Sequence, residues 1–316
     1  MTKRNTQYPA PLASLGCGAG AIRNTNDVYA VILVGGIGKR LQPLSKPSMP
    51  KPFLSVTKDR KTIFAKTIAR VRKILPIENI IVVANKRQAR LIKKSSPRIL
   101  KGNLLLEKAS KNTAPAIALA SLELKKRSAD AVIVVLPADH YIGNESVYLN
   151  TLNKGIDFVE GNPGALVTIG LRPSFPATGY GYIKVKARGR RGDVYQVERF
   201  VEKPDIQTAQ KFIDDGRYLW NTGTFIFKAV TFLGAIRRLA KGIYGPMKDM
   251  RKIEEKYDTL PNISVDYAIM EKAYEIYCVK GSYRWEDIGS FDSLKKVLKA
   301  EGRRFVERDG KVTKII

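Results

Sequence analysis

The chain predicts an α/β fold, a mixed and mainly parallel sheet with helices on both faces and a short β tail at the C-terminal end. Three observations carry this. From residue 29 onward, short apolar runs alternate with helix-patterned segments. The runs are continuously apolar, as strands buried on both faces require. And 316 residues at 44% hydrophobic composition can bury a full core.

The elements follow in order. Residues 1–27 are polar and Gly/Ala/Ser-rich, with no acid before Asp27, and read as a flexible N-terminal extension. Segment 29–34 (YAVILV) is the first strand. A helical stripe follows over 62–75, then a strand at 79–84 (NIIVVA), a short basic helix near 88–94 and a strand at 102–107 (GNLLLE). Asn112-Thr113-Ala114-Pro115 starts a helix over 113–126, with a capping residue and an early proline. A third buried run, 131–136, ends in Pro137-Ala138-Asp139-His140.

The second half predicts strands at 165–170, 179–185 and 194–201, a helix to about residue 215, and an aromatic strand at 219–227. Helices continue to about 257 and over 264–274. A strand at 275–279 leads to Trp285-Glu286-Asp287, and a helix over 291–299 follows. Residues 28–299 thus form one domain. Residues 300–316 suffice for a hairpin with its turn at Asp309-Gly310, or for the start of a homodimer contact.

Charge and residue usage narrow the chemistry. The chain has 56 Lys+Arg against 29 Asp+Glu, formally +27, which favours anionic partners. The cations are scattered, without an Arg/Gly tract, a zinc-ligand set or a repeat, so an anionic small molecule is expected rather than nucleic acid. His140 is the single histidine, which argues against His-based metal sites and Ser/His/Asp triads. Cys17 and Cys278 lie far apart and read as free thiols of a reducing, cytoplasmic compartment. No stretch approaches membrane-spanning length.

The candidate site starts at the first strand's end. Gly35, Gly36 and Gly38 are followed by Lys39 and Arg40, with Lys51 a short loop later. Glycines let backbone N–H groups approach phosphate oxygens, and the cations add charge and donors. The loop lacks the Gly-Lys-Ser/Thr of a P-loop and the third glycine of the dinucleotide fingerprint. Asp139 and Asp287 read either as hard-oxygen ligands for Mg²⁺ or as capping and turn residues. Glu202 and Lys203 suit a hydroxyl and a phosphate, or a surface ion pair. Asn221 and Gly223, inside an apolar strand, suit close ligand approach or a bulge with a satisfied amide. His140 reads as a loop or core residue.

Several motifs in one order resemble the mannose-1-phosphate guanylyltransferases: VILVGGIGKRLQPLS with PKPFL, NTAPAIALA, VVLPADHYI, PATGYGYI, RFVEKPD, WNTGTFIF, ISVDYAIMEKA and WEDIGSFDSL. The likeness spans about residues 29 to 299. It implies a Rossmann-like nucleotidyltransferase fold that joins GTP and mannose 1-phosphate into GDP-mannose and pyrophosphate with Mg²⁺. Catalysis would rest on positioning and charge neutralisation, without a protein nucleophile.

By this resemblance Gly35, Gly36, Gly38 and Lys39 hold the nucleotide, and Arg40 and Lys51 its phosphates. Asp139 and Asp287 hold the metal. Glu107, Asn112 and Thr113 are candidates for reading the base. Gly179, Glu202, Asn221 and Gly223 contact the sugar, and Lys203 its phosphate. The alternatives are a transferase for another sugar or base, and a non-catalytic nucleotide-sugar-binding homologue. The sequence departs from the family's usual GGSGTR at Ile37 and Lys39, from PKQF at Pro52 and from PSDH at Ala138. The loop thereby loses two hydroxyls and gains a cation.

Overall fold

The structure, a computed structural model, describes residues 27–36, 38–99, 101–188, 190–248 and 253–316. The predicted extension lies outside the described residues except for Asp27, and so does Ile37.

The first half is built outward from β1 (Val28–Val34). It pairs in parallel with β2 (Ile80–Asn85) on one side and β4 (Val132–Pro137) on the other, and β3 (Leu104–Glu107) extends the sheet beyond β2. A strand flanked on both sides also has both faces covered, which explains its continuous apolar run. Val28, Ala30, Ile32 and Val34 join one core, with Phe64 and Ile68 of α1 (Ile63–Val71). Tyr29 and Val31 point to the other, with Ile117 and Leu124 of α3 (Thr113–Arg127). Thr62 caps α1 by accepting from Ala65 N at 3.1 Å.

Four further strands complete the sheet: β6 (Leu166–Leu171), β7 (Tyr182–Val185), β8 (Val194–Val201) and β10 (Ile276–Gly281). They join through the long β9 (Tyr218–Lys228), giving the order β3-β2-β1-β4-β9-β6-β10-β8-β7. β9 runs antiparallel to β4, β6 and β7, and β8 antiparallel to β7 and β10, while β6 and β10 are parallel. The parallel half carries the Gly-rich strand end, and the antiparallel strands extend it. Helix α4 (Glu145–Gly161), not expected from the sequence, packs Leu152 and Ile156 beneath this sheet and is capped by Asn144. α6 (Ala229–Leu239) covers the opposite face through Phe232 and Ile236.

Three expected elements differ in detail. The strand at 102–107 begins at Leu104, after a 3₁₀ turn over Lys101–Asn103. The strand at 179–185 begins at Tyr182, and residues 179–181 form a loop instead. The helix over 264–274 is a π-helical turn, Asp266–Met270, closed by Glu271 N donating to Asp266 O at 3.0 Å.

A third, smaller core lies beside the Gly-rich loop. Leu41, Leu54, Val56 and Ile63 meet Ile288 and the Leu294, Val297 and Leu298 side chains of α9 (Phe291–Ala300). Val312 joins them from the terminal hairpin of β12 (Phe305–Arg308) and β13 (Lys311–Ile315). This cluster presses the chain around Asp287 against the chain around Lys51. Among the described residues, no helix is long and apolar enough to cross a membrane.

Candidate active site

Lys51 opens a 3₁₀ turn, Lys51–Phe53, whose Phe53 is buried in the main core. Pro52 fits there, since the first turn of a helix needs no N–H from it. Asp139 follows β4. Asp287 follows β11 (Trp285–Glu286), which pairs antiparallel with β5 (Tyr141–Ile142) in the register Trp285↔Ile142 and Glu286↔Tyr141. That two-residue ribbon brings the two aspartates abreast. Lys51 Nζ lies 3.0 Å from Asp139 Oδ2 and 2.7 Å from Asp287 Oδ1, and also donates to the Asp287 main-chain carbonyl.

The electrostatics follow from this clamp. Burial alone would lower the Lys51 pKa, but the two carboxylates outweigh it and raise it, so the ammonium is fixed. Burial would raise the Asp287 carboxyl, yet the Lys51 ammonium holds it at about 2. His140 lies in the same corner. Trp285 Nε1 donates to its Nδ1 at 3.1 Å, so the neutral ring carries its proton on Nε2. That nitrogen is 4.0 Å from Asp139 Oδ1 and 3.9 Å from Asp287 Oδ1. Burial lowers the His140 pKa and keeps the ring neutral.

Two cavities meet at this corner. The larger, about 520 Å³, is lined by Gly35, Gly36, Glu107, Asn112, Thr113, Asp139, His140, Gly223 and Asp266 among others. Its size and mostly apolar walls with few polar groups suit a nucleotide. Glu107 accepts from the Tyr257 hydroxyl at 2.7 Å, and burial raises its pKa. Asn112 Oδ1 accepts from Thr113 N at 2.9 Å, and Thr113 Oγ1 accepts from Val265 N at 2.8 Å.

The smaller cavity, about 140 Å³, shares His140, Gly223 and Asp266 with the first and adds Gly179, Tyr180, Glu202, Asn221, Trp285 and Asp287. Three of the four hydrogen-bonding positions of Asn221 are engaged: Oδ1 accepts from Thr168 Oγ1 at 3.0 Å and Gly223 N at 3.2 Å, and Nδ2 donates to Asp266 Oδ1 at 3.0 Å. The register of β6 against β9 slips here, and Gly223 has φ +67°, a bulge that glycine accommodates freely. The bulge and the ligand-facing position therefore coincide.

The remaining predicted residues lie elsewhere. Gly38 supports Lys51: at φ +76°, an added Cβ would stand 2.8 Å from Lys51 Cβ, and Ser45 Oγ donates to its carbonyl at 2.6 Å. Arg40 faces a third hollow of about 420 Å³ with Gly179, Tyr180, Asp287 and Lys296. Lys39 faces a fourth, of about 510 Å³, beside Lys86, Arg87 and Lys108. Lys203 is exposed, 2.6 Å from Glu202, and lines neither of the two joined cavities. Nothing in the sequence alone gives His140, Tyr180, Tyr257 or Asp266 a role in the site. The Asp266 motif was visible, but only the fold shows that it reaches both cavities.

Among the described residues no group of three or more His, Cys, Asp and Glu side chains is arranged to hold a metal. Asp139 and Asp287 nevertheless clamp one cation, the Lys51 ammonium, from two sides. Two hard oxygen donors suit Mg²⁺, which keeps waters and takes further oxygens from phosphate.

A Gly-rich strand end and paired carboxylates thus meet at two joined cavities on a half-parallel sheet, an α/β arrangement of a size suited to a nucleotide. The nucleotidyl transferase family matches residues 29–303, and the chain belongs to that family. It is 35% identical over 296 residues to a mannose-1-phosphate guanylyltransferase of Escherichia coli, covering 86% of this chain and 60% of the relative. The chain thus spans about three fifths of that relative's length. A Thermus thermophilus crystal structure described as a mannose-1-phosphate geranyltransferase superposes with TM-score 0.79 at 35% identity, covering 86% of this chain and 79% of that one. A Helicobacter pylori structure described as a mannose-6-phosphate isomerase gives TM-score 0.68 at 28% identity, covering 82% and 99%.

Proposed function

We propose that the chain transfers the GMP moiety of GTP to mannose 1-phosphate, releasing pyrophosphate and forming GDP-mannose. The observation that carries this is the Lys51–Asp139–Asp287 cluster, set where a nucleotide-sized cavity and a hexose-sized cavity meet. The likeness to a mannose-1-phosphate guanylyltransferase supplies the sugar and the base. In the reaction a phosphate oxygen of the sugar attacks the α-phosphorus, a new P–O bond forms, and the bond to the leaving pyrophosphate breaks in line.

The residues act by positioning and by charge. Gly35 and Gly36 bring backbone against the nucleotide, with Lys39 at the edge of the loop. Lys51 and Arg40 neutralise phosphate oxygens, and Gly38 keeps Lys51 in place. Glu107, Asn112 and Thr113 face the base end. Gly179, Glu202, Asn221 and Gly223 face the sugar, and Lys203 swings over its phosphate from the rim. Asp139 and Asp287 would hold Mg²⁺, which when bound adds positive charge at the transferring phosphate. A neutral His140 keeps Trp285 and the carboxylates in register. The setting is read as cytoplasmic.

Pyrophosphate release measured over a grid of nucleoside triphosphates and sugar 1-phosphates tests the reading. GTP with mannose 1-phosphate should be the preferred pair; a preference for UTP or dTTP would remove the guanine assignment. Asp139→Ala or Asp287→Ala should abolish turnover. Wild-type protein that binds GTP or GDP-mannose without turning over would mark a non-catalytic homologue.

A further inference from the structure

Asp266 stands at the junction of the two cavities and lines both. It begins the π-helical turn, whose extra residue tilts the start of the turn away from ordinary helical spacing, a feature that recurs at functional sites. The turn is tied to both ends of the site. Val265, one residue before it, donates to Thr113 Oγ1 at 2.8 Å on the nucleotide side. Glu271, one residue after it, accepts from Glu202 N at 3.3 Å on the sugar side.

The Asp266 carboxyl also fixes the orientation of Asn221. The amide oxygen is already occupied by Thr168 and Gly223, so its nitrogen must face Asp266 Oδ1, 3.0 Å away. Glu202 and Lys203 are the charged groups that face Asp266, and Ser264 bonds to it from its own segment. Burial, then Glu202, push the carboxyl up to about 7. Near neutral pH it therefore interconverts between an acceptor-only carboxylate and an acid that also donates, a combination suited to vicinal hydroxyls.

We propose that Asp266 is a specificity-determining residue that contacts the hydroxyls of the hexose 1-phosphate and aims the Asn221 amide at the same sugar. This rests on the functional reading above. The position beneath both cavities is what separates Asp266 from an ordinary core carboxyl.

The test is steady-state kinetics of the full chain, wild type against Asp266→Ala and Asp266→Asn. Mannose 1-phosphate and epimeric hexose 1-phosphates are varied from about pH 6 to about pH 8. In Asp266→Ala the KM for sugar 1-phosphate should rise about tenfold or more, the scale of one lost hydrogen bond to a charged group, with the KM for GTP within about twofold. Discrimination between epimers should narrow. Asp266→Asn keeps the shape and an acceptor for Asn221. It should recover part of the affinity and remove the inflection near pH 7 from the wild-type profile for the sugar KM, and it carries the test if the alanine variant does not fold. An unchanged sugar KM and a wild-type pH profile in the asparagine variant overturn the proposal. So does an equal rise in both KM values, which marks general damage. An inactive wild type overturns the functional reading itself, a result distinct from either.

Discussion

Lys51 and Asp287, 236 residues apart in the chain, are joined at both the carboxylate and the main-chain carbonyl of the aspartate. The long-range bond is possible because the third core packs Ile288 and α9 against Leu41 and Leu54. Lys51 is thus at once a structural clamp and a cation bound to both of the proposed metal ligands. Lys51→Met should lower stability by about 2–4 kcal/mol, because it leaves two carboxylates facing each other without their cation. Turnover should fall with it. Mg²⁺ should raise the melting temperature of the variant more than that of wild type, since the ammonium no longer competes for the carboxylates. Equal shifts in the two proteins would show that the aspartates do not bind the ion.

Gly38 is the second support of that clamp. Its left-handed φ and the 2.8 Å approach to Lys51 Cβ leave no room for a methyl group. Gly38→Ala should cost about 2–3 kcal/mol from backbone strain and overpacking together. Because the displaced neighbour is Lys51, kcat should fall further than the loss of stability explains. A variant that melts lower but keeps full kcat would show that Lys51 tolerates displacement.

Asp266 should carry a cost in stability. An acid whose folded pKa lies above its unfolded value folds best when protonated. The carboxyl sits at about 7, against an ordinary value of 3.8. Its contribution is therefore full below about pH 4 and is lost as pH rises through about 7. Asp266→Asn should then be more stable than wild type at about pH 8, by about 2 kcal/mol after discounting for partial exposure, with the gain vanishing near pH 4. Denaturant titrations at the two pH values measure this. A gain of the same size at both would exclude the carboxyl as its source.

Much of this arrangement is legible in the sequence. The parallel strands β1, β2 and β4 are visible because burial on both faces writes them as unbroken apolar runs. The start of α3 is visible in Asn112 and Pro115. What is hidden is pairing over long distances. β5 and β11 have two residues each, too few for any periodicity, yet they bring Asp139 and Asp287 together. β9 lies antiparallel between β4 and β6, and nothing local names those partners. Helix α4 mixes Asn, Thr, Lys and Asp among its apolar residues, and only its Asn144 cap marks it. The tautomer of His140 is set by Trp285, 145 residues away. Asp266 gains its position at both cavities from a turn whose i→i+5 bond leaves no pattern in the sequence.

Lys203 separates a structural role from a binding role most cleanly. Its side chain is 56% exposed, and its 2.6 Å pair with Glu202 lies at the rim of the smaller cavity, the proposed sugar site. Lys203 is exposed but its partner Glu202 is not, so Lys203→Ala should lower stability modestly, by about 1 kcal/mol. If the ammonium turns toward the sugar phosphate when substrate enters, the KM for mannose 1-phosphate should rise about tenfold, the loss of one charge-assisted hydrogen bond. The KM for GTP should stay near its wild-type value. Glu202 differs, since its side chain is only 9% exposed and lines the cavity, so Glu202→Gln should raise the sugar KM while also moving the Asp266 inflection to lower pH. A Lys203→Ala variant with wild-type KM for both substrates would leave the pair as surface decoration and place the sugar phosphate on Arg40 and Lys51 alone.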